Sequence, residues 1–226
     1  MTHPTPRFLR RLLLCTPLLI AVCFSHAQTR DPSITDDAAW SKATEWVAKL
    51  ELTDAAQTER VTHAVATHLQ AVRAWHNSHP ASTVPAGINP TTGAPLSDLD
   101  RSIIADSAMP RAVHDDLMTV LRTELSDAQV EAVLDAYTVG KVAFTLKGYH
   151  AIVPDLTAEE EAVILANLKE ARERAIDFKN MKQISAIFEI YKTKNEQFLN
   201  ANGRSWKQLY RDYVKAAQAK KAAEKN

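Results

Sequence analysis

Tyr149 and His150 directly follow Gly148, and their side chains could bind or transform a ligand. A tyrosine ring can stack on the apolar face of a sugar, while hydroxyl and imidazole groups form hydrogen bonds with its hydroxyls. Either side chain could also act as a general base. Because Gly148 permits backbone conformations that other residues avoid, two interpretations stay open. The two side chains face a pocket, or they pack into the core.

Arg172 is a further candidate for ligand binding, because it borders an apolar helix face. It follows Leu165 by seven residues and Leu168 by four, which is helical spacing. A guanidinium group at such a border can fork onto a carboxylate or a ligand oxygen. Alternatively, it lays its methylene stem on the core and keeps its charge in water.

The other residue types that often carry chemistry do not form a recognisable motif. Six of the eight histidines lie beyond residue 27, but no HExxH pattern accompanies them. We therefore expect neither a metal site nor a cofactor. The sequence also lacks a G-x-S-x-G nucleophile motif and a glycine-rich phosphate loop. No established catalytic class is indicated by these patterns.

The N-terminal segment predicts export. Arginines at positions 7, 10 and 11 precede an apolar run of 13 residues, Leu12–Phe24, and residues 25–27 form a small–x–small cleavage site. Such a run is too short to span a bilayer, which needs about 20 residues. We interpret residues 1–27 as a signal peptide and expect a periplasmic or extracellular protein. Lipidation at Cys23 is less favoured, because Val22 is large for the preceding position.

Charge and cysteine content narrow the set of partners. Both cysteines, Cys15 and Cys23, lie in the predicted signal peptide, so no disulfide is expected after cleavage. Removing residues 1–27 takes away three arginines and no acid, which leaves 24 basic and 27 acidic residues. This balance does not favour a nucleic-acid partner. We also expect no membrane contact after cleavage, and the sequence leaves the oligomeric state open.

Hydrophobic spacing predicts an all-α protein. Apolar residues recur at i, i+3, i+4 and i+7 through most of the chain, and His68 shares one such apolar face. Ser126 with Gln129, and Thr157 with Glu160, have the spacing of capping boxes that begin helices. We expect a single domain over residues 28–226, built from about six or seven helices.

Three stretches depart from the helical pattern. Residues 77–98 contain four of the ten prolines and two of the five glycines, which predicts a long loop. Residues 138–154 contain two further glycines and the β-prone run Val142–Leu146, so we interpret them as one irregular glycine- and aromatic-containing insert. Residues 215–226 are rich in lysine and alanine, and we interpret them as a solvated tail.

Three blocks of the sequence resemble a known family. They read AYTVGKVAFTLKGYHAIVPDLTAEE, LKEARERAID and FEIYKTKNEQFLNANG. They are similar to the signature blocks of domain-of-unknown-function family 3826, which contains exported bacterial proteins to which sugar binding is ascribed. The similarity is best over Leu125 to Gly203. The positions that match the family pattern are Tyr137, Gly140, Thr145, Gly148, Tyr149, Pro154, Glu170, Arg172, Glu173, Tyr191, Lys192 and Asn195.

The resemblance implies a non-catalytic carbohydrate-binding protein associated with polysaccharide use. Its ligand would be an oligosaccharide or a polysaccharide. This chain departs from the family pattern at several positions, including Leu146 and Arg204 in place of tyrosines and Thr193 in place of a glycine. The candidate ligand-binding residues are Tyr149, His150, Arg172, Tyr137, Tyr191, Lys192 and Asn195.

Two other functions stay open at this point. Leucine followed by a capping box is similar to the LTxxQ motif of periplasmic helical chaperones, which makes a chaperone or stress adaptor one alternative. The other is a lyase or hydrolase that acts on a sugar. In that enzyme Tyr149 or His150 would be the base, and Arg172 would stabilise negative charge.

Overall fold

The structure is a computed structural model that describes residues 32–223. Within that range it contains nine α-helices, one 3₁₀ turn and no β-strand, so the all-α prediction is confirmed. The sequence analysis predicts about six or seven helices, which is fewer than the nine in the described residues. The predicted signal peptide lies outside the described residues. The helices are α1 (Asp37–Ala48), α2 (Ala55–Ser78), α3 (Asp98–Ser107), α4 (Arg111–Glu124), α5 (Asp127–Thr138), α6 (Lys141–Ile152), α7 (Ala158–Ala175), α8 (Met181–Ala201) and α9 (Trp206–Ala223).

Polar caps begin several helices where the sequence predicts them. The side chain of Gln129 accepts a hydrogen bond from the Ser126 amide at 3.0 Å and completes the capping box of α5. At α7 the Thr157 amide donates to Glu160 at 3.0 Å, and the Glu160 amide donates to the Thr157 hydroxyl at 3.2 Å. These contacts satisfy N–H groups that have no partner within the helix.

The structure corrects the prediction of an irregular insert at residues 138–154. Residues 141–152 form helix α6, which buries Val142 and Tyr149 on one face. These two residues are seven apart, so burying both favours a helix over the β-propensity of the run that begins at Val142. Val139 and Gly140 adopt the left-handed conformation before α6, with φ angles of 54° and 66°. They form the turn between α5 and α6.

A long connection joins α2 to α3, from residue 79 to residue 97. It contains a 3₁₀ turn, Ala81–Thr83, and a single β-bridge between Ile88 and Pro95. Arg101 ties it to α3, because its Nε and Nη2 atoms donate to the Val84 carbonyl at 2.9 and 2.6 Å.

The helices enclose two hydrophobic clusters. The first is formed mainly by α1, α2, α4 and α5 and includes Val61 and Leu121. The second is formed mainly by α6, α7 and α8 and includes Leu168 and Phe188. Burying side chains of this size stabilises a fold by roughly 1.5–3 kcal/mol each. The chain passes from the first cluster to the second at the turn between α5 and α6. Ile176, which follows α7, returns to the first cluster, and the segment that contains it positions the polar site.

Helix α9 packs against α6 and α8. None of its residues is buried, and every residue from Lys215 to Ala223 is exposed. Among the described residues, no helix is long and apolar enough to cross a membrane.

Candidate functional site

A polar cluster of His68, His114 and Asp177 lies where the two hydrophobic clusters meet. Asp177 Oδ1 lies 3.1 Å from His68 Nε2, and Asp177 Oδ2 lies 2.9 Å from His114 Nδ1. His68 is on α2, His114 is on α4, and Asp177 follows α7. Both histidines are at most 3% exposed. A single carboxylate therefore joins three segments of the chain.

The electrostatics of this cluster favour a charged pair. The hydrogen bond to Asp177 raises the pKa of His114, although burial acts in the opposite direction. Burial alone would raise the pKa of Asp177, but hydrogen bonds with His114 and His68 outweigh it and leave that pKa below its usual value. An ionised carboxylate can accept a hydrogen bond from an N–H group of each ring. Asp177 thus fixes the orientation of both imidazoles.

His68 lies on the wall of a groove between α1, α2 and α4, which we call the Trp40 groove. Its volume is about 560 Å³. Half-buried Trp40 and buried Leu117 contribute to its apolar surface. Exposed Glu59, Thr67 and Asp116 contribute polar groups. The groove therefore combines an indole with carboxylate and hydroxyl groups.

A two-pronged ion pair lies along the same groove. Arg60 Nε is 2.7 Å from Glu124 Oε1, and Arg60 Nη2 is 2.8 Å from Glu124 Oε2. The hydrogen bond from Arg60 lowers the pKa of Glu124, so this carboxyl group stays ionised at neutral pH. The pair connects α2 to α4 and holds them in register.

His114 lies on a second cavity, between α4, α5 and α7, with a volume of about 830 Å³. Side chains of both signs line it and pair across it. Arg122 contacts Glu173 at 3.0 Å, and Lys169 contacts Glu131 at 3.3 Å. We call this cavity the charged cleft. The cleft and the Trp40 groove use different faces of α4, because their α4 residues alternate along that helix.

The structure places Arg172 at the charged cleft, with its side chain 2% exposed. Its Nη2 is 2.8 Å from Glu131, and its Nη1 is 2.8 Å from Asp135. Of the two alternatives that the sequence leaves open, the guanidinium thus forks onto carboxylates. Its Nε atom has no hydrogen-bond partner among the described residues. Arg172 joins α7 to α5 beneath the cleft.

Tyr149 packs into the second hydrophobic cluster. Its hydroxyl donates to the Lys192 carbonyl at 3.3 Å, and its ring lies 5.4 Å from that of Trp206. Burial raises the pKa of Tyr149, so its hydroxyl stays protonated at neutral pH and is not available as a general base. His150 is exposed instead, with Nε2 3.5 Å from Glu161. These contacts do not bring either residue to Arg172.

The other predicted residues are distributed over several places. The Tyr137 hydroxyl donates to the Val65 carbonyl at 3.4 Å, and its ring lies 5.4 Å from His68. Tyr191 donates to Glu170, a residue of the charged cleft, at 2.9 Å. Buried Asn195 accepts from Asn167 at 2.6 Å, and the Lys192 amine contacts Glu189 at 2.9 Å. Tyr137 and Arg172 therefore lie beside the two cavities, whereas Tyr149, Lys192 and Asn195 lie between α6, α7 and α8.

Sequence reasoning did not single out Trp40, His68, His114 or Asp177 as a site. His68 and Asp177 are 109 positions apart, so no local motif joins them. One signal was available, because His68 shares a helix face with Val61, Val65 and Val72. A histidine in such a position needs a polar partner within the fold. The sequence does not indicate which residue that partner is.

Among the described residues, no group of three or more His, Cys, Asp or Glu side chains is arranged to hold a metal ion. In the His68–Asp177–His114 cluster the ring nitrogens contact the carboxylate oxygens directly. The cluster is therefore best described as a network of hydrogen bonds.

The fold and the site define an all-α protein in which one histidine–aspartate cluster separates an apolar groove from a charged cleft. The chain belongs to the family described as protein of unknown function (DUF3826), whose sequence model matches residues 37–219. That match confirms the resemblance seen in the sequence, and it includes the residues that line both cavities. No curated protein matches the chain.

Proposed function

We propose that the protein is exported and binds carbohydrate in the Trp40 groove without altering it. The observation that carries this proposal is the combination, in one groove, of an indole with carboxylate and hydroxyl groups. Sugar rings have apolar C–H faces, which pack on aromatic surfaces. They also have hydroxyl groups, which form hydrogen bonds with planar polar groups. Export is supported by the N-terminal sequence pattern.

The dimensions of the groove agree with a short oligosaccharide. Its volume of about 560 Å³ lies within the range of roughly 300–1,000 Å³ that is usual for small-molecule sites. Trp40 comes from α1, whereas Leu117 comes from the facing α4. A ring seated on the indole would therefore contact apolar groups on both sides.

The polar groups of the groove are accessible to a ligand. The Arg60 side chain is 52% exposed, whereas that of its partner Glu124 is 18% exposed. Sugar hydroxyls can therefore contact Arg60 while its two-pronged pair with Glu124 stays in place. Glu59 and Asp116 are exposed and provide further acceptors.

A fluorescence titration with a panel of oligosaccharides tests this proposal. We expect saturable quenching or enhancement of tryptophan emission, because Trp40 lies in the groove. Measured by calorimetry, because the substitution removes the fluorescent reporter, Trp40→Ala should weaken binding about tenfold or more, since a lost aromatic contact is worth about 1.5 kcal/mol. Trp75→Phe is the matched control, because Trp75 bonds to the Ala105 carbonyl away from the groove. Unchanged affinity in Trp40→Ala, or no response to any glycan, would contradict the proposal.

A second function, a lyase or hydrolase that acts on a sugar, is favoured by the setting of His114. Asp177 holds its Nδ1 atom, and its Nε2 atom lies 3.7 Å from Glu173 at the charged cleft. An imidazole oriented by a carboxylate is a common general acid or base. In this candidate His114 takes the role that the sequence assigned to Tyr149 or His150.

The two functions predict different outcomes for one variant. If the protein is an enzyme, His114→Asn should lower turnover of a cleaved glycan by about 10²- to 10⁴-fold and leave binding in the Trp40 groove intact. If it only binds, the wild-type protein should return every bound glycan unchanged after prolonged incubation. Product analysis by chromatography distinguishes the two cases.

A further inference from the structure

Charge is strongly segregated between α9 and the rest of the protein. Residues 32–205 contain 17 basic and 24 acidic residues. Helix α9 contains a single acid, Asp212. Its five basic residues are Lys207, Arg211, Lys215, Lys220 and Lys221. An acidic body therefore carries a basic helix.

The cations of α9 are available to a partner. All five are exposed, and none of them forms an ion pair among the described residues. Among the described residues, the side chains of α9 form hydrogen bonds only with one another, from Gln208 to Asp212 at 2.9 Å and between Arg211 and Gln208. The acidic body thus leaves the charge of this helix uncompensated.

An aromatic stripe runs along the same helix. Trp206, Tyr210, Tyr213 and Ala217 recur at i, i+4, i+7 and i+11, which places them on one face. Tyr149 partly covers the beginning of this stripe by its contact with Trp206. Tyr210 and Tyr213 are 51% and 39% exposed. The stripe therefore begins on the body and continues into solvent.

We propose that α9 binds the surface of an anionic lipid bilayer. Cations beside exposed aromatic residues are the pattern of helices that lie in the membrane interface. Tyrosine rings prefer the headgroup region, and long lysine side chains reach lipid phosphates from there. The acidic body is repelled by the same surface, so α9 alone makes the contact.

The exposed tyrosines of α9 favour a bilayer over a soluble polyanion as its partner. A soluble polyanion without apolar faces neutralises the lysines, but it leaves Tyr210 and Tyr213 in water. A bilayer interface accommodates both kinds of side chain. This contact goes beyond carbohydrate binding, and it would hold the Trp40 groove near the membrane. It also replaces the sequence-based expectation that the protein makes no membrane contact after cleavage.

Vesicle co-sedimentation of residues 28–226 tests the proposal. We expect binding to equimolar phosphatidylglycerol–phosphatidylcholine vesicles that is at least tenfold tighter than to pure phosphatidylcholine and that weakens with added salt. The triple variant K215Q/K220Q/K221Q should bind at least tenfold more weakly, and so should Y210S/Y213S. The matched control K42Q/K49Q/K147Q removes the same charge from the body and should keep its affinity within twofold. Circular dichroism checks that each variant is folded.

Three results would overturn the proposal. Equal binding to neutral and anionic vesicles would exclude charge recognition. Binding to polygalacturonate that is weakened by K215Q/K220Q/K221Q, with no binding to vesicles, would assign α9 to a soluble polyanion instead. A salt-sensitive dimer in sedimentation velocity, abolished by K215Q/K220Q/K221Q, would assign α9 to the acidic body of a second copy.

Discussion

Asp177 accepts hydrogen bonds from histidines on two different helices, so its charge acts on both. The variant Asp177→Asn keeps the size of the side chain and removes the charge. We expect it to lower the free energy of unfolding by about 2–3 kcal/mol, because hydrogen bonds to a charged group are strong and the amide leaves one acceptor oxygen for the two rings. Urea denaturation measures this change. Glu189→Gln, in an exposed pair with Lys192, should change stability by less than about 0.5 kcal/mol.

The same cluster predicts a pH window for stability. The folded pKa of His114 lies above its ordinary value of 6.5, so its contribution is fully present below pH 6.5 and is lost as pH rises through the folded pKa. The folded pKa of Asp177 lies below its ordinary value of 3.8, so its contribution is present above that pH and is lost on acidification. We therefore expect the contribution of the pair to be greatest between these two values.

Unfolding measured as a function of pH tests this window. In His114→Gln the alkaline decline that belongs to His114 should disappear, so the difference from wild type should shrink as pH rises above 6.5. A difference that stays constant from pH 5 to pH 9 would show that the Asp177 contact does not raise the pKa of His114.

The residues that stand out in the sequence differ in burial from the residue that lines the groove. Tyr149 and Arg172 stand out because of their neighbours in the sequence, and both prove to be buried and bonded to the protein itself. Trp40 has the spacing of an ordinary core residue, yet it lines the groove. Sequence spacing shows which helix face a residue occupies, but not whether another helix covers that face completely.

At the scale of elements, α6 shows how tertiary packing overrides local preference. Gly148 lies within α6, without positive φ, and a Cβ atom there would meet nothing within 4 Å. Gly140 has the same free space but a φ of +66°. The same substitution should therefore have opposite effects at the two glycines.

Alanine substitution at each glycine tests this assignment. Gly148→Ala should stabilise the protein by about 0.5–1 kcal/mol, because alanine is the better helix former. Gly140→Ala should destabilise it by about 1–2 kcal/mol, because a Cβ atom disfavours the left-handed conformation. Thermal and urea unfolding measure both variants. If Gly148→Ala were as destabilising as Gly140→Ala, residues 141–152 would not form a regular helix.

Helix starts were predictable where a local contact defines them. The capping boxes of α5 and α7 need only residues three positions apart, and both are present in the structure. The start of α6 has no such contact, since its N-cap is Gly140 and no side chain caps it. Without a capping residue, the β-prone side chains from Val142 onward favoured the wrong assignment.

At the scale of the whole molecule, the helical class follows from periodicity that recurs throughout the chain, whereas the site depends on long-range contacts. His114 and Asp177 are 63 positions apart and meet only because α4 packs against α2 and α5, and α5 packs against α7. The result is a groove and a cleft on different faces of α4, joined by one carboxylate. We expect this shared carboxylate to connect the two sites energetically.

That connection predicts coupling between carbohydrate binding and the protonation of His114. A ligand in the Trp40 groove displaces water beside His68, which changes how strongly Asp177 interacts with its two histidines. We therefore expect a glycan that binds the groove to shift the His114 titration followed by NMR. Linkage requires the affinity for that glycan to change with pH by the same factor.

The protein contains its own control for this measurement. His150 is exposed and pairs with Glu161, so its ring resonances should be unaffected by a ligand in the groove. Asp177→Asn should abolish the shift at His114 while leaving some binding in the groove, because the carboxylate is the contact shared by both rings. If the shift survived in Asp177→Asn, the two sites would communicate by another route. If glycan affinity were independent of pH, the groove and the cleft would act separately.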